Sequence, residues 1–200
     1  MFGISSDKRT IDQDGSALPL DSDSLFSNHK NIYNKGVEKR QRKLIEKISF
    51  LKPFLNEGEK ILLVTTGCSP MSFLEQFFGG WVVYALKRSL FVFTNQRIFH
   101  IPTKSDYSYR NTLAQILYGD CQTIQMKGRT LVVQYKSGKK EKFYYIASRE
   151  KKKLVTLLAA AAPGGGQSKA QRRTHLCPRC ATDLVEAEYL CPSCRLEFKS

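Results

Sequence analysis

The sequence predicts a mainly β fold with accessory α-helices: a small barrel or sandwich closed by a C-terminal helix, preceded by an amphipathic helix and followed by a small cysteine-held module. Three observations lead there. Between residues 58 and 147, short apolar and β-branched segments are punctuated by Gly, Asn and Ser turn residues, as antiparallel strands are. Segments of helical period flank this region on both sides. Two Cys-x-x-Cys pairs lie near the C-terminus.

Residues 1–34 are rich in Ser, Asp and Asn, show no sustained period, and read as a flexible tail. Residues 35–57 carry a basic amphipathic helix in which Val37, Leu44, Ile45, Ile48 and Leu51 recur at threes and fours, Glu38 sits four before Arg42, and Pro53 ends the run. One apolar stripe suits either docking on the main domain or contact with an anionic lipid or a partner protein.

Residues 58–162 form the main domain. Strands are expected at 60–66, 89–94, 97–101, 105–109, 122–127, 130–135 and 140–146, the last two joined as a hairpin across Lys136-Ser-Gly-Lys139. A helix over 148–162 starts at Ser148 and stops at Pro163. The 71–88 stretch is too aromatic for an ordinary loop and reads as helix, strand or both, broken at Gly79 and Gly80. Two readings stand for its Phe77, Phe78, Trp81 and Tyr84: they complete the core, or with Lys87 and Arg88 they make a contact site for a membrane or a partner. Residues 163–174 read as a basic Gly-rich linker holding Arg172 and Arg173, which are candidate anion contacts.

Residues 175–200 contain Cys177-Pro-Arg-Cys180 and Cys191-Pro-Ser-Cys194. Two residues between thiolates let a tight turn aim both sulfurs at one ion, and a short hairpin brings the second pair round to complete a tetrahedron. The expected cofactor is one structural Zn2+ held by Cys177, Cys180, Cys191 and Cys194; two disulfides or an iron–sulfur centre are the alternatives. Four thiolates leave no open position for substrate, so a zinc site here is structural. His175 reads as a solvated residue, and Cys68 and Cys121, without partnered spacing, as buried thiols.

The two knuckles resemble the small zinc-ribbon module of many bacterial multidomain proteins, with Ala181 and Arg195 standing where that module usually has Gly. Phe91-Val-Phe-Thr-Asn-Gln-Arg-Ile-Phe-His100, followed by the helix from Ser148, resembles the bacterial pleckstrin-homology-like (PH-like) domains. That resemblance implies a small β-barrel or sandwich capped by the C-terminal helix, and a binding rather than catalytic role. The 71–88 stretch departs from it, since that family commonly joins the first two strands by a shorter turn. Arg97, in the Thr-Asn-x-Arg turn, either holds the turn through backbone carbonyls or contacts an anion.

A net charge of +14 favours polyanionic partners. The histidines are far apart, no phosphate-binding loop or nucleophile elbow is present, and no acidic pair has a distinctive context, so the chain reads as a non-enzyme without a small-molecule substrate. The expected function is a zinc-binding adaptor or scaffold whose PH-like domain contacts a membrane surface or a protein. The alternative is a nucleic-acid-binding zinc-ribbon protein, against which stand Asp183, Glu186, Glu188 and Glu197 in the ribbon itself. Lacking a signal peptide or a spanning helix, the chain is expected in the cytoplasm, peripheral at the inner membrane face. A natural chain continuing past Ser200 into membrane helices would make these residues its cytoplasmic head.

Overall fold

A strand that is apolar at every position, rather than at alternate ones, needs cover on both faces, and Leu90-Phe-Val-Phe93 obtains it. The computed structural model describes residues 18–78, 80–160 and 177. Their order is α1 (Ser22–Phe26), α2 (Lys35–Glu46), a 3-10 segment (Ser49–Phe54), β1 (Ile61–Cys68), α3 (Phe73–Phe78), α4 (Gly80–Leu86), β2 (Arg88–Thr94), β3 (Arg97–Pro102), β4 (Ala114–Leu117), β5 (Cys121–Lys127), β6 (Thr130–Tyr135), β7 (Lys140–Phe143) and α5 (Lys151–Ala160). Strands β1-β2-β3-β4 form one antiparallel sheet and β5-β6-β7 a second. This is the mixed β/α, two-sheet arrangement that the sequence predicts, with a helix after the last strand.

Alternation along β2 divides the core in two. Phe91 and Phe93 point between the sheets, where they meet Leu131, Val133, Phe143 and, from α5, Leu154. Leu90 and Val92 point the other way and are covered by Leu25, Ile48, Leu51 and Phe54 from the N-terminal segment. The sheets join where Cys68 and Tyr144 exchange backbone hydrogen bonds of 2.7 and 3.1 Å and Ala147 N–H reaches Thr66 O at 3.0 Å. At this seam a Cβ on Gly67 would lie 2.7 Å from Ile146 Cδ1 and 2.9 Å from Phe91 Cε2, so only glycine fits.

The N-terminal segment departs from the sequence reading. Residues 18–34 belong to the fold rather than to a tail: Leu25 is fully buried, Asp21 caps α1, and Leu20 pairs with Ile61 in a parallel bridge. Lys153 of α5 donates its ammonium to the carbonyls of Ser24, Leu25 and Ser27 at the end of α1, and burial lowers its pKa to about 8. The amphipathic helix docks, and its apolar stripe continues into the 3-10 segment, which accommodates Pro53 instead of stopping before it. Residues 105–109 are not a strand. Tyr107 adopts a left-handed conformation (φ 63°), which breaks extended pairing, and the edge strand is β4, too short at four residues to signal itself.

Candidate functional site

Between β1 and β2 the chain leaves the sheet and returns by way of α3 and α4. Ser72 and Glu75 form a reciprocal cap that starts α3: Glu75 N–H donates to Ser72 Oγ at 3.2 Å and Ser72 N–H donates to Glu75 Oε2 at 2.8 Å. The base of the excursion is tied by Ser69 N–H to Lys87 O at 2.9 Å and by Lys87 Nζ to Glu75 Oε1 at 3.0 Å. These backbone and ionic contacts to Glu75, the Ser72 hydrogen bond foremost, hold its carboxyl below the usual range.

The tip is apolar and open to solvent. Leu74 and Phe77 share one face of α3 and are 64% and 73% exposed; Trp81, at 80%, is the most exposed large apolar side chain among the described residues. Val82 and Leu86 extend the patch along α4. These side chains are displayed to solvent on a short, tied excursion rather than packed into either core. The core-filling alternative is therefore overturned for Phe77 and Trp81. The side chain of Phe78 lies outside the described residues.

Behind the tip, cations and tyrosines alternate. The Arg88 guanidinium stands 5.6 Å from the ring of Tyr84 and 5.5 Å from that of Tyr107, and its Nη1 donates to Ser105 O at 2.5 Å. Tyr84 meets Tyr145 edge to face at 5.4 Å, and Arg129 lies 5.9 Å from the Tyr145 ring while donating Nε–H to Ile146 O. Arg129, Tyr107 and Tyr145 sit in turns remote in sequence from 71–88, so no local pattern announces them.

Below this layer His100 is buried between Phe91 and Phe143, with the hydroxyls of Ser69 and Ser89 at 3.0 and 3.1 Å from Nε2. Burial lowers its pKa to about 4, and Glu141 opposes the shift. His100 also borders an open cleft of about 450 Å3 with Gln115, Tyr135, Lys139 and Glu141. Tyr135 Oη and Lys139 Nζ both bond the Glu141 carboxylate at 2.8 Å, so the cleft's charges are mutually satisfied.

Arg97 is not a surface anion contact. It is fully buried, Nη2 bonds Glu59 Oε2 at 2.5 Å, and Nη1 bonds Gln115 Oε1 at 2.6 Å. The other half of the Thr-Asn-x-Arg turn is equally structural: Thr94 Oγ1 accepts from the N–H groups of Gln96 and Arg97, and Asn95 Oδ1 accepts from Lys60 N–H. Cys68 and Cys121 are buried, as expected. Of the cysteine constellation, Cys177 is buried next to Tyr109, whose hydroxyl pKa is raised first by burial and then by that sulfur. Cys180, Cys191, Cys194, Arg172 and Arg173 lie outside the described residues. Among the described residues no helix is long and apolar enough to cross a membrane.

No protein-family model and no curated protein matches the sequence. Among solved structures the chain is similar to the C-terminal domain of an unknown protein from Leishmania infantum, at 18% identity over 58% of this chain and 97% of that one, with a TM-score of 0.39. It is similar to the Vps36 N-terminal PH domain at 17% identity, covering 52% of this chain and 86% of that one, TM-score 0.32. It is also similar to the hSac2 domain from human phosphoinositide phosphatase Sac2, at 12% identity over 62% and 79% of the two chains, TM-score 0.36.

Proposed function

We propose that this chain is a non-catalytic, PH-like binding module that rests on an anionic membrane surface through the α3–α4 excursion, and that residues 175–200 form a zinc ribbon serving as a second docking element. The observation that carries the membrane reading is Trp81, 80% exposed beside Phe77 at 73% on a tied, apolar tip. Burying an aromatic side chain of this size contributes about 2–3 kcal/mol, and each Lys or Arg near an anionic leaflet about 1 kcal/mol. Two such aromatic anchors, Phe77 and Trp81, under a net charge of +14 therefore favour reversible, peripheral binding.

Four cysteines at Cys-x-x-Cys spacing are a donor set that fits zinc: Cys177, Cys180, Cys191 and Cys194 would hold it as thiolates in a closed tetrahedron. The metal would supply folding free energy to a segment too small to bury a core of its own. The ribbon carries four acids, Asp183, Glu186, Glu188 and Glu197, against three bases, Arg179, Arg195 and Lys199, so it suits a protein partner better than phosphates.

Sedimentation with vesicles tests the membrane reading. The chain is expected to pellet with mixed phosphatidylglycerol–phosphatidylcholine vesicles at physiological salt, weakly with phosphatidylcholine alone, and Trp81→Ala with Phe77→Ala to release it. Equal recovery of the wild type and the double variant would sink the reading; retention on DNA cellulose at that salt, without vesicle binding, would favour the nucleic-acid alternative.

A further inference from the structure

We infer that the cysteine module docks on its own domain: residues 177–198 seat against a platform of Phe50, Tyr109 and Leu113 on the outer face of the first sheet. This rests on the zinc-ribbon reading above and adds the place where the ribbon lies. Three observations carry it.

First, the leading ligand is already at that face. Cys177 follows the end of α5 at Ala160 by seventeen residues, yet it is fully buried, and its sulfur is near enough to Tyr109 to act electrostatically on the hydroxyl. The intervening chain, at about 3.3–3.6 Å per extended residue, reaches past the ~30 Å diameter of a small domain, so length alone would let the first knuckle meet any face. Cys177 stands at this one.

Second, the platform is built before anything covers it. Phe50 and Tyr109 stack with ring centroids 3.8 Å apart and planes inclined by 16°. Phe50 comes from the 3-10 segment, and Tyr109 closes a turn in which Thr103 and Tyr109 pair as an antiparallel bridge and Lys104 N–H donates to Ser108 O at 2.9 Å. With Leu113 these rings pack on the core of Ile48, Leu51, Val92 and Phe99 while staying only partly buried themselves. A surface held this firmly loses little conformational freedom when it is covered, which favours docking.

Third, the charges complement each other. Lys47, exposed at the end of α2, acts on Asp106 of the turn, and Lys104 and Arg110 are exposed to either side of that single acid. The ribbon brings Asp183, Glu186, Glu188 and Glu197, and four thiolates around one divalent ion leave a net negative centre. Opposite charges at the rim steer and orient such a contact.

A partner of the ribbon then meets a composite surface, ribbon beside the C-terminal end of α2, instead of a free tethered knob. The apolar area covered is small beside that of the two cores, so their unfolding is nearly unaffected by it.

The test loads the isotope-labelled full chain with Co2+ in place of Zn2+ and compares backbone amide resonances of the two forms. Co2+ takes the same tetrahedral thiolate site and is paramagnetic, so amides close to it shift. Amides of residues 48–51 and 107–113 are expected to shift, and those of β5 and β6, on the other sheet, several-fold less. Tyr109→Ala is expected to keep the thiolate–cobalt absorption and to lose the shifts at 48–51. Shifts absent from both regions of the wild type would show a ribbon that tumbles freely and overturn the docking, as would wild-type shifts in Tyr109→Ala. If Tyr109→Ala fails to fold, Lys104→Glu with Arg110→Glu, both at exposed positions, decides the matter: the shifts are expected to fall several-fold, and unchanged shifts overturn the assignment. Shifts that vanish on dilution would place the ribbon on a second copy of the chain and overturn the intramolecular contact. Absence of cobalt absorption in the wild type would instead defeat the zinc-ribbon reading itself.

Discussion

Glu59 and Arg97 form an ion pair in which neither side chain reaches solvent, with Nη2 2.5 Å from Oε2. Thr94 Oγ–H adds a 2.7 Å bond to the same carboxylate and Phe54 O accepts from Nη2 at 3.3 Å, so the pair pins the β2–β3 turn to the segment preceding β1. Removing one partner strands a buried charge, which costs about 3–5 kcal/mol. Glu59→Gln and Arg97→Met are each expected to lose stability of that order in urea unfolding; a change under about 1 kcal/mol in both would show that the pair is dispensable.

The side-chain amide of Gln41 does the work of a neighbouring strand. Its Nε2 donates to Val64 O at 2.9 Å and its Oε1 accepts from Val64 N–H at 3.1 Å, all buried. The free edge of β1 is thus closed by Leu20 at one end, Tyr144 at the other and Gln41 between them. Gln41→Leu leaves both backbone groups unsatisfied and is expected to cost about 2–4 kcal/mol, with faster hydrogen exchange at Val64. Unchanged exchange there would contradict the bridging role.

How much of this was legible depended on whether a residue's partners were near in sequence. The β2–β3 hairpin announced itself through Leu90–Phe93 and the Thr94–Arg97 turn, and α5 through Leu154 and Leu158. Residues 18–34 did not: α1 has one buried apolar residue, Leu25, and is held by Ile61 and Lys153, far along the chain. The aromatic tip was visible as composition, but whether it faced the core or solvent was a tertiary outcome. Tyr107 and Tyr145 behind it, contributed by separate loops, carried no signal beyond being tyrosines.

His100 sets an acid limit on stability. Its pKa is about 4 in the folded protein against 6.5 when exposed, so below pH 6.5 the unfolded chain takes up a proton that the native state refuses. Stability contributed by the neutral ring is complete above pH 6.5 and falls as pH drops towards 4, by about 3 kcal/mol in all. His100→Gln, which accepts and donates without titrating, is expected to flatten that part of the denaturation profile; an unchanged slope would show that other groups govern it.

One zinc per chain is expected by elemental analysis after purification without chelator. Cys191→Ser should reduce that content several-fold while leaving the urea midpoint of residues 18–160 close to wild type, since among the described residues neither core cluster contains one beyond Leu158. A metal-free wild type, or iron in place of zinc, would contradict the ribbon assignment.

Trp81 is the chain's only tryptophan, so its emission reports directly on the tip of the excursion. The membrane reading expects emission characteristic of water in the free protein, a blue shift on adding phosphatidylglycerol-containing vesicles, and quenching by lipids brominated along the acyl chain. Emission that stays red and unquenched at saturating lipid would leave Trp81 in solvent and contradict the central claim.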